Sequence, residues 1–253
     1  MAKVAVRTSE QAEDGVYFAA AADPIHLALH RLAKGQTLAL GPLANDCAVY
    51  VWQGEVAAGE VGLAAGSSAI IGRGCSLALT GVSESAAQVL CYSGSHTPAS
   101  PGSGDLRLLP ADRVPRLAAE PGGSGVSGGL HADSDWPGSS VWLHENHFPA
   151  MDLSSEQAAL GIHSHSEDEI IFVIAGAMRL GNRLVGPGTA VAIAADTLYG
   201  FTAGPDGLSF VNFRAAMPGD IRFAHGASMS ETGYWRERVG RPAYVMAAGA
   251  QTD

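Results

Sequence analysis

The chain has 253 residues, 47% hydrophobic and 16% charged, enough apolar material for one large core or two of roughly 125 residues each. Its formal net charge is -10 and its Lys and Arg residues form no long cluster, which argues against a phosphate-tracking nucleic-acid binder. Three cysteines, Cys47, Cys75 and Cys91, with no CxxC pair, argue against a disulfide framework or a thiolate zinc site.

In chain order, the first fifteen residues are polar and lack the apolar core of a signal peptide. Residues 26–34 (HLALHRLAK) have helical propensity but are read as a strand, because the runs after them fit an all-β half. The runs CAVYVWQ, SAIIG and AQVLCYS are short, rich in β-branched and aromatic residues, and bounded by turn residues, which predicts strands. From Ser93 to about Ser140 the chain is rich in Gly, Pro and Ser. This stretch is read as a connection, giving a first domain at 1–95, a linker at 96–138 and a second domain at 139–253. Strand-like runs resume with VWLHENHF, IIFVIAG, TAVAIAA and LSFVNFR. The longest apolar runs, such as 189–195, fall far short of the ~20 residues that span a bilayer. A reduced, cytoplasmic protein without membrane or nucleic-acid partners is expected.

A shift of 122 residues sets Gly54 on Gly176, Gly59 on Gly181 and Gly66 on Gly188. The same shift sets Val49–Trp52 on Ile171–Ile174 and Ala69–Ile71 on Val191–Ile193. Three glycines in one register, with strands in phase between them, predict two copies of one β-unit.

The second copy alone carries His163-Ser-His165-Ser-Glu-Asp-Glu169. On an extended strand His163, His165 and Glu169 project to one face, and Glu167 shares it unless a bulge turns it away. Two imidazoles and one carboxylate form a donor set suited to Fe(II), Mn(II), Zn(II), Ni(II) or Co(II). The competing reading is a solvated acidic loop holding two histidines. The apolar strand that starts at Glu169 and the glycine turns after it favour the metal site.

This stretch resembles the cupin superfamily. Gly161, His163, His165, Glu169 and Gly176 match its first motif, and Gly186-Pro187-Gly188 followed by AIAADTLYGF resembles its second. The resemblance implies two fused jelly-roll β-barrels, an all-β bicupin, with a divalent metal ion held only in the C-terminal barrel. Tyr199 stands where similar proteins place a fourth ligand, a histidine. It is read as a phenolate metal ligand, as a catalytic proton donor or substrate contact beside the ion, or as a packed aromatic. The shift carries His163, His165, Glu169 and Tyr199 onto Gly41, Leu43, Cys47 and Leu77, so the N-terminal barrel is expected to be metal-free, with Cys47 buried.

His144 and His147 are read as surface or hydrogen-bonded core residues rather than ligands. Arg179, Arg183 and Arg214 are read as surface residues, each chemically able to hold a substrate carboxylate. His225 has only its residue type to recommend it. The resemblance implies a homodimer and a metal-dependent enzyme on a small oxygen-bearing substrate, a dioxygenase first, with a lyase or isomerase using Tyr199, or a non-catalytic small-molecule or sugar-binding protein, as alternatives.

Overall fold

In the computed structural model residues 3–19, 23–94, 104–119, 125–133, 140–152 and 154–246 are described. The first half forms β1 (Val4–Arg7), β2 (Val16–Phe18), β3 (Ile25–Leu32), β4 (Thr37–Leu40) and β5 (Cys47–Gln53). It continues with β6 (Glu55–Ala58), β7 (Val61–Ala64), β8 (Ser68–Ile71), β9 (Leu77–Gly81) and β10 (Ala87–Gly94). Next come β11 (Leu106–Leu109), β12 (Arg116–Leu117), β13 (Ser127–Ala132) and β14 (Trp142–Phe148). Helix α1 (Ser155–Leu160) leads to β15 (His163–Ser164), β16 (Glu169–Leu180), β17 (Arg183–Val185), β18 (Ala190–Ile193) and β19 (Thr202–Arg214). The chain ends in β20 (Asp220–Phe223), β21 (Ser228–Ser230), helix α2 (Glu231–Arg238) and β22 (Val245–Met246). Residues 26–34 are thus largely strand, as expected. No helix among the described residues is long and apolar enough to cross a membrane.

The repeat is visible in the backbone. β5 and β16 begin at positions 47 and 169, and β8 falls on β18 over its whole length. The paired glycines share the left-handed conformation: φ is 73° and 67° at Gly54 and Gly176, 60° and 54° at Gly59 and Gly181, and 84° and 83° at Gly66 and Gly188. Side chains rarely adopt that φ, which is why glycine recurs there in register.

Each half closes around its own apolar interior. The first pairs a seven-stranded sheet, ordered β2-β3-β10-β5-β8-β11-β22, with a four-stranded sheet, β4-β9-β6-β7. The second pairs β1-β18-β16-β19-β14-β13-β12, with β17 beside β16, against β15-β20-β21. Both large sheets are buried on two faces, so their strands read as nearly continuous apolar runs. Val49 and Val51 fill the first barrel, and Ile171 and Val173 fill the second. Their neighbours Ala48, Tyr50, Ile170 and Phe172 point the other way and meet between the barrels. There Tyr92 stacks on Phe213 at 5.2 Å between ring centroids, and Tyr17 meets Phe172 edge-on at 5.6 Å.

The ends of the chain cross over. β1 pairs with β18 of the second half, and β22 pairs with β11, which lies in the first half's large sheet. Within the segment read as a linker, β11 joins the first barrel's sheet, and β12 and β13 join the second's. Residues 95–103, 120–124 and 134–139 lie outside the described residues.

Candidate metal centre

The motif at 163–169 is not one extended strand. His163 and Ser164 lie in β15, a turn follows, and Glu169 opens β16. β15 and β16 belong to different sheets of the second barrel, and the bend between them sets the His163 and His165 rings 5.0 Å apart and His165 Nε2 3.8 Å from Glu169 Oε1. The bend also turns Glu167 away from the centre. Its carboxylate accepts from the Gly219 backbone N–H at 3.1 Å, the exception to strand alternation that the sequence left open.

His163 Nδ1 lies 2.8 Å from the carbonyl of Gly161. A carbonyl only accepts, so the proton sits on Nδ1 and Nε2 keeps its lone pair. His165 Nδ1 faces Glu231 Oε2 at 3.3 Å, and its Nε2 stands 3.8 Å from Glu169 Oε1. By the same logic Nδ1 donates to Glu231 and Nε2 keeps its lone pair. Glu169 Oε2 accepts from Asn212 Nδ2 at 2.6 Å and from Arg214 Nη2 at 3.0 Å, while the buried Oε1 has no hydrogen-bond partner among the described residues. Two imidazole Nε2 atoms and one carboxylate oxygen therefore carry the lone pairs available to an ion, each oriented by a partner behind it, with His163 Nε2 accepting from the Tyr199 hydroxyl.

Arg214 is buried at 1% exposure, which corrects its reading as a surface residue. Its Nη1 donates to Glu231 Oε2 at 2.6 Å. Nη2 lies 3.2 and 3.3 Å from the two ring nitrogens of His165. One nitrogen equidistant from both cannot lie along either in-plane lone pair, so the guanidinium sits over the ring face and leaves Nε2 unblocked. One guanidinium between two buried carboxylates leaves one negative charge in excess, a field that favours a further cation.

Burial pushes the Glu169 and Glu231 carboxyls upward, but Arg214 together with the neighbouring histidines and hydrogen-bond donors offsets it, and both end below the usual carboxylate range. Burial holds the His163 imidazole below its ordinary value. Tyr199 lies with its hydroxyl 3.2 Å from His163 Nε2. Burial and the neighbouring Glu169 carboxylate raise its pKa well above the phenol range, so it stands as a neutral hydroxyl.

His144 is buried, accepts from Trp142 Nε1 at 2.9 Å through Nδ1, and presents Nε2 to Glu231 Oε1 at 3.9 Å. His147 is half-exposed and bonds Ser209 on the other face of β14. Arg179, Arg183 and His225 are exposed, His225 packing on Phe223. Cys47 is buried, as expected.

Asn212, Arg214 and Glu231 are the centre's residues that the motif does not contain. Alternation along LSFVNFR could have found two of them, since Asn212 and Arg214 share the inward face of Phe210. Glu231 comes from the first turn of α2, which Ser230 caps by accepting from the Gly233 N–H at 3.1 Å. Trp235 anchors that helix against the His144 ring at 5.0 Å.

The donor set fits a divalent ion in residue type and in the tautomer each imidazole is held in. Among the described residues no three His, Cys, Asp or Glu side chains are yet drawn together into a finished cation site.

No family model matches this chain, and no curated protein matches it. Solved structures do. Protein Ylba from E. coli is 15% identical, with 84% of this chain and 90% of that chain covered at a TM-score of 0.61. A cupin 2 conserved barrel domain protein from Leptotrichia buccalis is 11% identical, with 85% and 89% covered at a TM-score of 0.50. This chain shares the fold of that cupin barrel protein. A variant of the Bacillus subtilis oxalate decarboxylase is also similar, at 12% identity, with 91% of this chain and 75% of that chain covered and a TM-score of 0.56. At these identities the likeness establishes the barrels and leaves the chemistry to the residues.

Proposed function

We propose that the C-terminal barrel is the centre of a metal-dependent enzyme acting on a small oxygen-bearing metabolite. The observation that carries this reading is the trio His163 Nε2, His165 Nε2 and Glu169 Oε1, each with its residue's other polar atom engaged from behind; the Tyr199 hydroxyl, now bonded to His163 Nε2, would yield that lone pair to the ion. These three residues would hold the ion, with Glu231, Arg214 and Asn212 orienting them from behind. When bound, the ion supplies Lewis-acid polarisation of a substrate oxygen.

The chain's own part is orientation and proton handling. Tyr199 is a neutral phenol beside His163, suited to donate a hydrogen bond or a proton to a substrate oxygen. That position supports a lyase or isomerase reading, and the similar fold of an oxalate decarboxylase supports a small oxygen-bearing acid as substrate class. The two-histidine, one-carboxylate donor set supports the dioxygenase as the second reading.

Elemental analysis of the purified full chain tests the centre, with about one divalent ion per chain expected and its loss expected in Glu169→Gln. Metal-free wild-type protein that cannot be reloaded would overturn the reading. Turnover of small carboxylate substrates in anaerobic buffer separates the two reaction classes, since a dioxygenase stops without oxygen.

A further inference from the structure

The repeat places a second concave site where the first barrel has lost the polar one. His163, His165 and Glu169 fall on Gly41, Leu43 and Cys47. Gly41 has φ 102°, and a Cβ there would stand 2.5 Å from the Cys75 carbonyl oxygen, so no side-chain ligand fits at that position. Around the other two counterparts the first barrel opens into a cavity of about 360 Å³.

Its lining is apolar or soft at Ala28, Leu40, Leu43, Cys47 and Cys91. No Asp, Glu, Lys or Arg is among the described residues that line it. Burial pushes the Cys47 thiol up to about 12 and the Cys91 thiol well above its ordinary range, so both are neutral. Polar character enters through residues such as His26 and Ser93, and His26 Nε2 is buried without a hydrogen-bond partner among the described residues. The volume suits a small ligand, and an apolar wall with few polar groups is the common form of such a site. An ionic ligand would meet no opposite charge along this lining.

We propose that the N-terminal barrel binds a neutral, mostly apolar small molecule with one hydrogen-bonding group, of the phenol or alcohol class, in the cavity that replaces the polar centre of its repeat. The two barrels then divide the labour: one takes a cation with a polar substrate, the other a neutral ligand.

Isothermal titration of the full chain with phenol, and with benzoate as the charged counterpart, tests this. Saturable binding of phenol is expected, with benzoate about ten-fold weaker or worse. Ala28→Phe fills the cavity and is expected to abolish phenol binding, whereas His163→Ala, in the other barrel, leaves it unchanged. If Ala28→Phe does not fold, Overhauser contacts from bound phenol to the His26 ring proton in the wild type locate the ligand instead. No saturable phenol binding, binding that survives in folded Ala28→Phe, bound phenol without His26 contacts, or benzoate binding as tightly as phenol would each overturn the proposal. Loss of phenol binding in His163→Ala would overturn it too, by placing the ligand in the metal barrel. Metal content decides the other centre independently.

Discussion

Trp52 donates its indole N–H to the backbone carbonyl of Ile174 at 3.1 Å, and the two residues occupy equivalent positions of the repeat, 122 apart. Equivalent residues can touch only near an axis that relates the two copies, so the barrels pack face to face through the same surface, as in a symmetric dimer. Trp52 also meets the Phe172 ring at 5.1 Å. Trp52→Phe should cost about 1 kcal/mol through the lost hydrogen bond, and Phe172→Ala about 3–5 kcal/mol through the cavity left between the barrels. Urea unfolding of both variants checks the order. Equal costs would show that the aromatic packing does not dominate this interface.

Arg214 holds two buried carboxylates at once. Arg214→Met leaves Glu169 and Glu231 uncompensated and should destabilise metal-free protein by about 3–5 kcal/mol. The double variant Arg214→Met with Glu231→Leu should recover part of that loss. A double variant no more stable than the single one would contradict the charge argument.

Glu231 touches the proposed ligands through His165 Nδ1 and through Arg214, which also holds Glu169. Glu231→Gln should weaken metal affinity about 10–100-fold without removing a ligand. Competition with a chelator of known affinity measures this, and unchanged affinity would leave Glu231 a purely structural partner of Arg214.

Tyr199→Phe should keep the metal and lower turnover about 10²–10⁴-fold if the hydroxyl moves a proton. Full turnover in the variant reduces Tyr199 to packing against its ring neighbours, and loss of metal in the variant makes it a ligand.

His131 gives the pH dependence. It is fully buried between the barrels, with Nδ1 3.0 Å from the Ser68 hydroxyl and Nε2 3.6 Å from Glu145 Oε2. Tyr50 donates to that carboxylate, Arg116 pairs with its other oxygen, and His147 lies 3.6 Å from it. Burial lowers the His131 pKa to about 3, with Arg116 adding to the effect. The unfolded chain therefore binds a proton below about pH 6.5 that the folded chain refuses until about pH 3. Stability is unaffected by this group above pH ~6.5 and falls as the pH drops, by roughly 3–5 kcal/mol at pH 3. His131→Gln should flatten the denaturation midpoint against pH across that window. An equally steep profile would assign the acid sensitivity to other groups.

Strands, repeat and donor types were all readable from residue order. Period-two alternation and glycines that need a left-handed φ are local properties, so Gly54, Gly59 and Gly66 and their partners were legible as turns before any contact was known. The motif named His163, His165 and Glu169 because their spacing is local too. Their surroundings came from the closed barrel. Arg214 looked like a surface cation until the barrel closed over it, and Glu231 belongs to a short helix more than sixty residues beyond Glu169 in the chain. Which charge offsets another depends on distance through space across a low-dielectric interior, and sequence spacing does not encode that distance. The crossing of β1 and β22 between the halves was hidden for the same reason, since a sheet edge accepts any strand that reaches it.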